Sequence, residues 1–286
     1  MKTSRISASA VARPNAPACP LPAINPADAK SPLRWLGNKD PDWKRISPYI
    51  QLAKGGSFFE PFGGSAATTF RVLAREGRPS TVHIAERVPE LRAVIEAIRD
   101  NPGGFLKRLP RGRCPERYKA WRAILQGGDW KGIDPLTRTV MWFYVKKNAH
   151  RAHAGWSGYF GDPSRPNGCY IFDRIAAQLN FFSPLLQGTT LYSDFRDLPT
   201  PKAGDFVFLD PPYTGSDNRA CYGMTEVEND ETMTLAQDAH DWVVGSKANF
   251  LFINRFSPEL LDWVGDRTGL LRKRRSPVVS AGKLWA

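Results

Sequence analysis

Two periods of apolar residues alternate along the first hundred positions. The runs SFFE (57–60) and TVHIAE (81–86) are short, apolar and close on an acid, which suits buried strands. Each precedes a segment of helical spacing, AATTFRVLAREG (66–77) with its terminal glycine and VPELRAVIEAIRD (88–100). Upstream, SPLRWLGNKD (31–40) is compact and aromatic with a tight turn at Gly37-Asn38, and a helix is expected over 43–52. This βαβα order predicts an α/β fold with a parallel sheet covered by helices. The alternation resumes with GTTLYSDF (188–195), DFVFLD (205–210), a helix over 231–244, the strand ANFLFIN (248–254), a helix over 258–264 and a terminal hairpin in 270–286.

The stretch between these halves has a different character. From 101 to 187 basic and aromatic residues interleave, DPLTRTVMWFYVKKNAH (134–150) has helical character, and AGWSGYFGDPSRPNG (154–168) is a glycine- and proline-rich loop. The expected organisation is therefore a tail over 1–30, one α/β domain made of 31–100 and 188–286, and a mainly helical insert over 101–187. No internal repeat interrupts it.

Charge sharpens that division. The chain of 286 residues has 40 Lys+Arg against 28 Asp+Glu, net +12, and the insert alone holds 14 against 5, supplying +9 of it. A surplus of this size points to a polyanion, a nucleic acid or a membrane surface, before a small neutral substrate. With 42% hydrophobic and 12% aromatic residues the chain can bury a substantial core, so disorder is expected only in the tail. That tail carries Lys2, Arg5 and Arg13 without an acid, but its five prolines break the amphipathic helix an organelle-targeting peptide needs. Cys19, Cys114, Cys169 and Cys221 are too widely spaced for a metal or redox motif and read as reduced thiols. His150 and His153 lack an evident third ligand, so no metal is expected. No apolar run is long enough for a membrane helix, and a cytoplasmic location is expected.

Candidate chemistry lies at the ends of the strands. Gly63 and Gly64 in FFEPFGGSAATTF stand between a strand and a helix, where an open α/β sheet lets a ligand approach the backbone, yet neither GK[ST] nor GxGxxG follows. Glu86 lies where such folds put a carboxylate to receive ribose hydroxyls, so a nucleoside without a phosphate demand fits both features. In DFVFLDPPYTG the strand stops at Asp210-Pro211-Pro212-Tyr213. The prolines fix φ twice and delete two backbone donors, leaving the Pro211 carbonyl to accept. Asp210 adds carboxylate oxygens and Tyr213 a flat face, a combination that suits an exocyclic amino group on a planar base.

PLRWLGNK, FFEPFGGSAA and FLDPPY, in that order with a basic insert between the second and third, resemble the Dam-like class of DNA adenine-N6 methyltransferases. The resemblance covers nearly everything from Ser31 onward, and LYSDF fits it too. It implies a Rossmann-like methyltransferase sheet with helices on both faces, S-adenosylmethionine as cofactor and double-stranded DNA as partner. It implies that Trp35, Gly37 and Lys39 border the cofactor, that Glu60, Pro61, Phe62, Gly63 and Gly64 wrap its methionine part, and that Glu86 holds its ribose. Asp194 and Phe195 would contact its adenine, while Asp210, Pro211, Pro212 and Tyr213 would hold a target base flipped from the duplex. The insert would supply recognition, with Lys107, Arg108, Arg111, Arg113, Lys146, Lys147 and Arg151 toward phosphates or bases, Trp156 and Tyr159 for stacking, and the basic run 272–275 beside them. Asn38 replaces a common glycine, and FGGSA departs from the FxGxG spacing. Methylation of RNA or of cytosine-N4 uses the same station, and a DNA-binding homologue without catalysis is a further alternative.

Overall fold

The computed structural model describes residues 21–35, 37–128, 130–149, 160–161, 170–213, 224–254, 260, 263, 269–271 and 278–282. The chain builds β1 (Phe58–Glu60), α2 (Ala67–Leu73), β2 (Val82–Ala85) and α3 (Pro89–Asp100), preceded by the short α1 (Trp43–Ile46). Then follow α4 (Pro102–Arg108), α5 (Pro115–Gly127), α6 (Pro135–Asn148) and α7 (Phe172–Phe182). The second half contributes β3 (Thr189–Tyr192), β4 (Phe206–Leu209), α8 (Glu226–Asp230), α9 (Thr232–Val244), β5 (Asn249–Asn254), β6 (Gly269–Leu271) and β7 (Val278–Gly282).

The strands form one sheet in the order β3-β2-β1-β4-β5-β7-β6. β1 to β5 are mutually parallel, and β7 runs antiparallel to both β5 and β6, closing the sheet with the expected terminal hairpin. Strand order reverses between β1 and β4. An open sheet of this kind leaves a crevice there, at the carboxyl ends of the strands.

Side-chain alternation splits the sheet between two cores. Phe58, Ile84, Phe206, Phe208, Leu251 and Ile253 join one cluster, while Phe59, Ala85, Val207, Leu209, Phe250 and Phe252 join the other. Successive residues of a strand face opposite sides, so continuous apolar runs such as FVFL need cover on both. Phe70 of α2 and Leu91, Val94 and Ile95 of α3 lie in the first cluster, and Ala236, Ala239 and Val243 of α9 in the second. Phe105, Tyr118, Leu125, Tyr144 and Leu179 of α4 to α7 also belong to the first cluster. The helical insert thus shares the sheet's core.

Two boundaries differ from the sequence expectation. Ordered chain begins ahead of Ser31, because a 3₁₀ turn at Pro26–Asp28 is capped by Asn25, Ala27 O accepts from Arg71, and Ala29 is buried. The helix expected over 43–52 is only α1, followed by a 3₁₀ turn at Ser47–Tyr49. Pro48 has no N–H to continue it. At the start of β4, buried Asp205 accepts from Ser57 N (2.8 Å) and Lys202 N (2.9 Å), tying β4 to the start of β1.

Candidate cofactor and active site

A cleft of about 680 Å³ opens at the strand-order reversal. The carboxyl ends of β1, β2, β3 and β4 each deliver one acid to its wall, namely Glu60, Glu86, Asp194 and Asp210. Trp35, Gly37, Lys39, Pro61, Phe62, Gly63, Gly64 and Phe195 complete the expected cofactor residues, and all of these line the same cleft. Among the described residues the wall holds seven carboxylates against Lys39, Arg87 and Arg196. A protein of net +12 has thus placed an acidic cavity at the end of its sheet.

The glycine loop explains its own sequence. A Cβ on Gly63 would meet Ile84 Cγ2 at 2.5 Å, and Gly63 N donates to Ala85 O at 2.8 Å, so the loop is pressed against the end of β2. Gly64 and Ala66 both have φ of 51°. The left-handed positions are therefore two apart, and Ala66 occupies the second where glycine would cost least. Glu86 fixes the loop, its carboxylate accepting from Gly64 N (2.5 Å) and Val88 N (2.7 Å). Burial pushes its carboxyl up to about 7, against the pull of those donors.

Glu60 lies deeper. Its Oε2 accepts from Thr69 N (3.1 Å) and Thr69 Oγ1 (2.5 Å). Burial raises its carboxyl to about 8, and nearby Asp210 adds to the rise while Lys39 opposes it. The folded carboxyl binds its proton more tightly than the unfolded one, so its contribution favours folding below the ordinary glutamate range and is lost as pH rises toward 8. The ligand-free protein is expected to lose stability, on the order of a few kcal/mol, between about pH 5 and 8, and Glu60→Gln to flatten much of that slope. Denaturant unfolding across that range checks this. A slope unchanged by the substitution would place the titration elsewhere.

Asp210 forms a buried ion pair with Lys39, whose ammonium also donates to Gly37 O at 2.7 Å. Burial raises the Asp210 carboxyl, Lys39 pulls it back, and Asp42 pushes it up further. Its Oδ1 is buried without a hydrogen bond of good geometry, although the Tyr213 phenol interacts with the carboxylate. Pro212 lines the cleft, whereas Pro211 is buried beside it and half-buried Tyr213 stands outside its wall, 5.4 Å from the Lys39 ammonium. One residue the sequence reading passed over is Thr68 on α2, which lines the cleft and whose buried Oγ1 has no hydrogen-bond partner among the described residues. Arg87 and Glu228 also belong to the wall, where they form an ion pair.

The candidate nucleic-acid residues divide. Lys107, Arg108 and Arg111 are exposed, with Arg108 held to Thr137 (3.1 Å) and Arg111 over the Phe172 ring (4.7 Å). Arg113 is half-buried against Phe160 and bonds Asn148 Oδ1 (3.0 Å) and the Gly161 carbonyl. Lys146 and Lys147 do not present solvated charges. Lys146 is 4% exposed and lies over Trp142, and Lys147 Nζ donates to Pro32 O at 2.7 Å. Burial lowers both ammonium groups to about 8. Lys146 is buried and Lys147 partly buried, so both are engaged within the protein where the expected phosphate contact would need them presented to solvent. Arg151, Trp156, Tyr159, His150, His153 and the run 272–275 lie outside the described residues.

A parallel sheet of this order, with one antiparallel strand at its far side and an acid-lined cleft at the reversal, is a Rossmann-like methyltransferase fold. The chain is similar to the Type II methyltransferase M.CviBI of Paramecium bursaria Chlorella virus NC1A, with 26% identity over 187 residues, 63% of this chain and 68% of that protein. No family model matches the chain. Among the described residues no helix is long and apolar enough to cross a membrane.

Proposed function

We propose that the protein transfers a methyl group from S-adenosylmethionine to the N6 amino group of adenine in double-stranded DNA. The observation that carries this reading is the shared wall: Asp210, which opens Asp-Pro-Pro-Tyr, lines the same cleft as every expected cofactor residue. The residues present fit the cofactor. An acidic cavity suits a ligand with a sulfonium and an ammonium group, the packed Gly63 lets the backbone approach it, and Thr68, whose Oγ1 has no hydrogen-bond partner among the described residues, lies in the same wall. The Type II methyltransferase relative supports methyl transfer as the reaction.

When bound, S-adenosylmethionine supplies the electrophilic methyl on sulfur. The chain's own groups do the rest. Lys39 pairs with Asp210 and opposes the effect of burial on its carboxyl, and an Asp210 oxygen and the Pro211 carbonyl accept the two N–H bonds of the target amino group. Accepting those bonds turns the nitrogen lone pair out of conjugation and toward the methyl. As the nitrogen gains positive charge Asp210 stabilises it, and the raised basicity of this carboxylate suits it to take the released proton. The exposed arginines and Lys107 on the insert neutralise DNA phosphates, separating a basic polyanion surface from an acidic cofactor cleft.

Expression in cells devoid of adenine methylation tests the proposal, with modified bases read in their sequence context. N6-methyladenine at a recurring context is expected. Methylcytosine in its place, methylation confined to RNA, or cofactor binding with no modified base would each overturn it.

A further inference from the structure

The PLRWLGNK segment has one end on the insert and the other in the cleft. At the first end, Lys147 Nζ donates to Pro32 O (2.7 Å) and Arg34 Nη1 donates to Ala149 O (2.7 Å), two reciprocal ties between the segment and the end of α6. The Trp35 and Trp142 rings pack between them with centroids 6.2 Å apart. At the other end, Trp35 and Gly37 line the cleft and Lys39 holds Asp210. The position is costly for cations. Lys147 has Arg34 and Arg174 near it with Asp40 as the opposing charge; burial and those two arginines lower Lys147, while burial and Arg113 lower Arg34. The carbonyl end of α6 offsets part of that cost, because a helix C-terminus favours positive charge.

We propose that Lys147 and Arg34 are positioning residues for the cofactor and for the Lys39–Asp210 pair, acting through Pro32, Trp35, Gly37 and Lys39. The inference rests on the methyltransferase reading above. It assigns to Lys147 the opposite behaviour from a phosphate contact: its loss loosens the cofactor wall and leaves DNA electrostatics alone. The geometry explains why a lysine is kept there, since its ammonium reaches a backbone carbonyl that a shorter or apolar side chain would leave without a donor.

The test uses Lys147→Met and Arg34→Met in the full chain, with Lys147→Arg as the conservative variant. S-adenosylmethionine binding is measured by calorimetry, the salt slope on duplex DNA by titration, and kcat/KM across pH. Each methionine variant is expected to weaken cofactor binding by about tenfold, the scale of one hydrogen bond to a charged group, and Lys147→Arg to restore most of it. The salt slope should stay at the wild-type value. Asp210 is faced by Lys39, Asp42, Glu60 and Tyr213, and a looser Lys39 leaves burial and Asp42, which raise its carboxyl, opposed by the Tyr213 hydrogen bond. The acid limb of kcat/KM should therefore move to higher pH, a shift that general destabilisation would not produce. A salt slope reduced by about one unit with cofactor affinity intact would make Lys147 a phosphate contact and overturn the proposal. So would methionine variants that bind cofactor like the wild type, or a weakened Lys147→Met that Lys147→Arg does not restore. If the wild-type chain itself binds no S-adenosylmethionine, it is the methyltransferase reading that fails.

Discussion

Replacing Asp210 by alanine is expected to lower kcat by a factor on the order of 10² or more while cofactor affinity changes far less. The interaction removed strengthens as positive charge grows on the target nitrogen, so the loss falls on the transition state. It also leaves the Lys39 ammonium, buried at the back of the cleft, without its carboxylate. Asp210→Asn keeps the shape but can turn an N–H toward a donor, and is expected to be nearly as damaging. Single-turnover methylation at saturating DNA and cofactor measures the effect, with calorimetric cofactor binding as a folding control. Activity within tenfold of wild type in both variants would remove Asp210 from the chemistry.

Gly63→Ala carries the second large effect. The added methyl would lie 2.5 Å from Ile84 Cγ2 and 3.4 Å from Ala85 O, and Ile84 is fully buried in the sheet with no room to turn away. The loop must then rise from β2, carrying with it Gly64 N and its bond to Glu86. Overpacking of this kind costs about 1–3 kcal/mol, which corresponds to a fall of roughly ten- to a hundredfold in affinity for S-adenosylmethionine. Calorimetry reads it directly. An unchanged dissociation constant in a folded variant would show that the loop carries no cofactor contact.

Local patterns made most of the catalytic half legible. Runs such as FVFL and NFLFI announce strands buried on both faces, and the acid closing each of β1, β2 and β4 marks the sheet edge where ligands collect. The insert was harder to read. Lys146 and Lys147 look like a solvated pair at the end of a helix; the i, i+4 spacing of Trp142 and Lys146 is a local signal that was passed over, whereas nothing local reveals that Pro32 takes the Lys147 ammonium, because that contact joins segments far apart in the chain. Thr68 was hidden differently. It sits beside Thr69 in AATTFRVL, and only burial of the whole of α2 turns an ordinary threonine into a polar atom without a partner. Ala66 shows the limit of motif spacing, since the backbone keeps a left-handed turn that its residue type does not advertise.

The bond between Ser57 N and Asp205 spans 148 positions, and the whole insert lies between its ends. During synthesis, β1 can pair early with β2, but its other partner, β4, emerges only after the whole insert, so the wall of the cleft that β4 carries is added late. Pairings of such sequence separation close slowly, because loop entropy must be overcome before any contact rewards it. A nascent chain that stops short of residue 205 has no cleft for a nucleoside to enter. On the proposed function ligand capture is thus a late event, and a cofactor that binds the finished sheet would add its binding energy to the stability of that state.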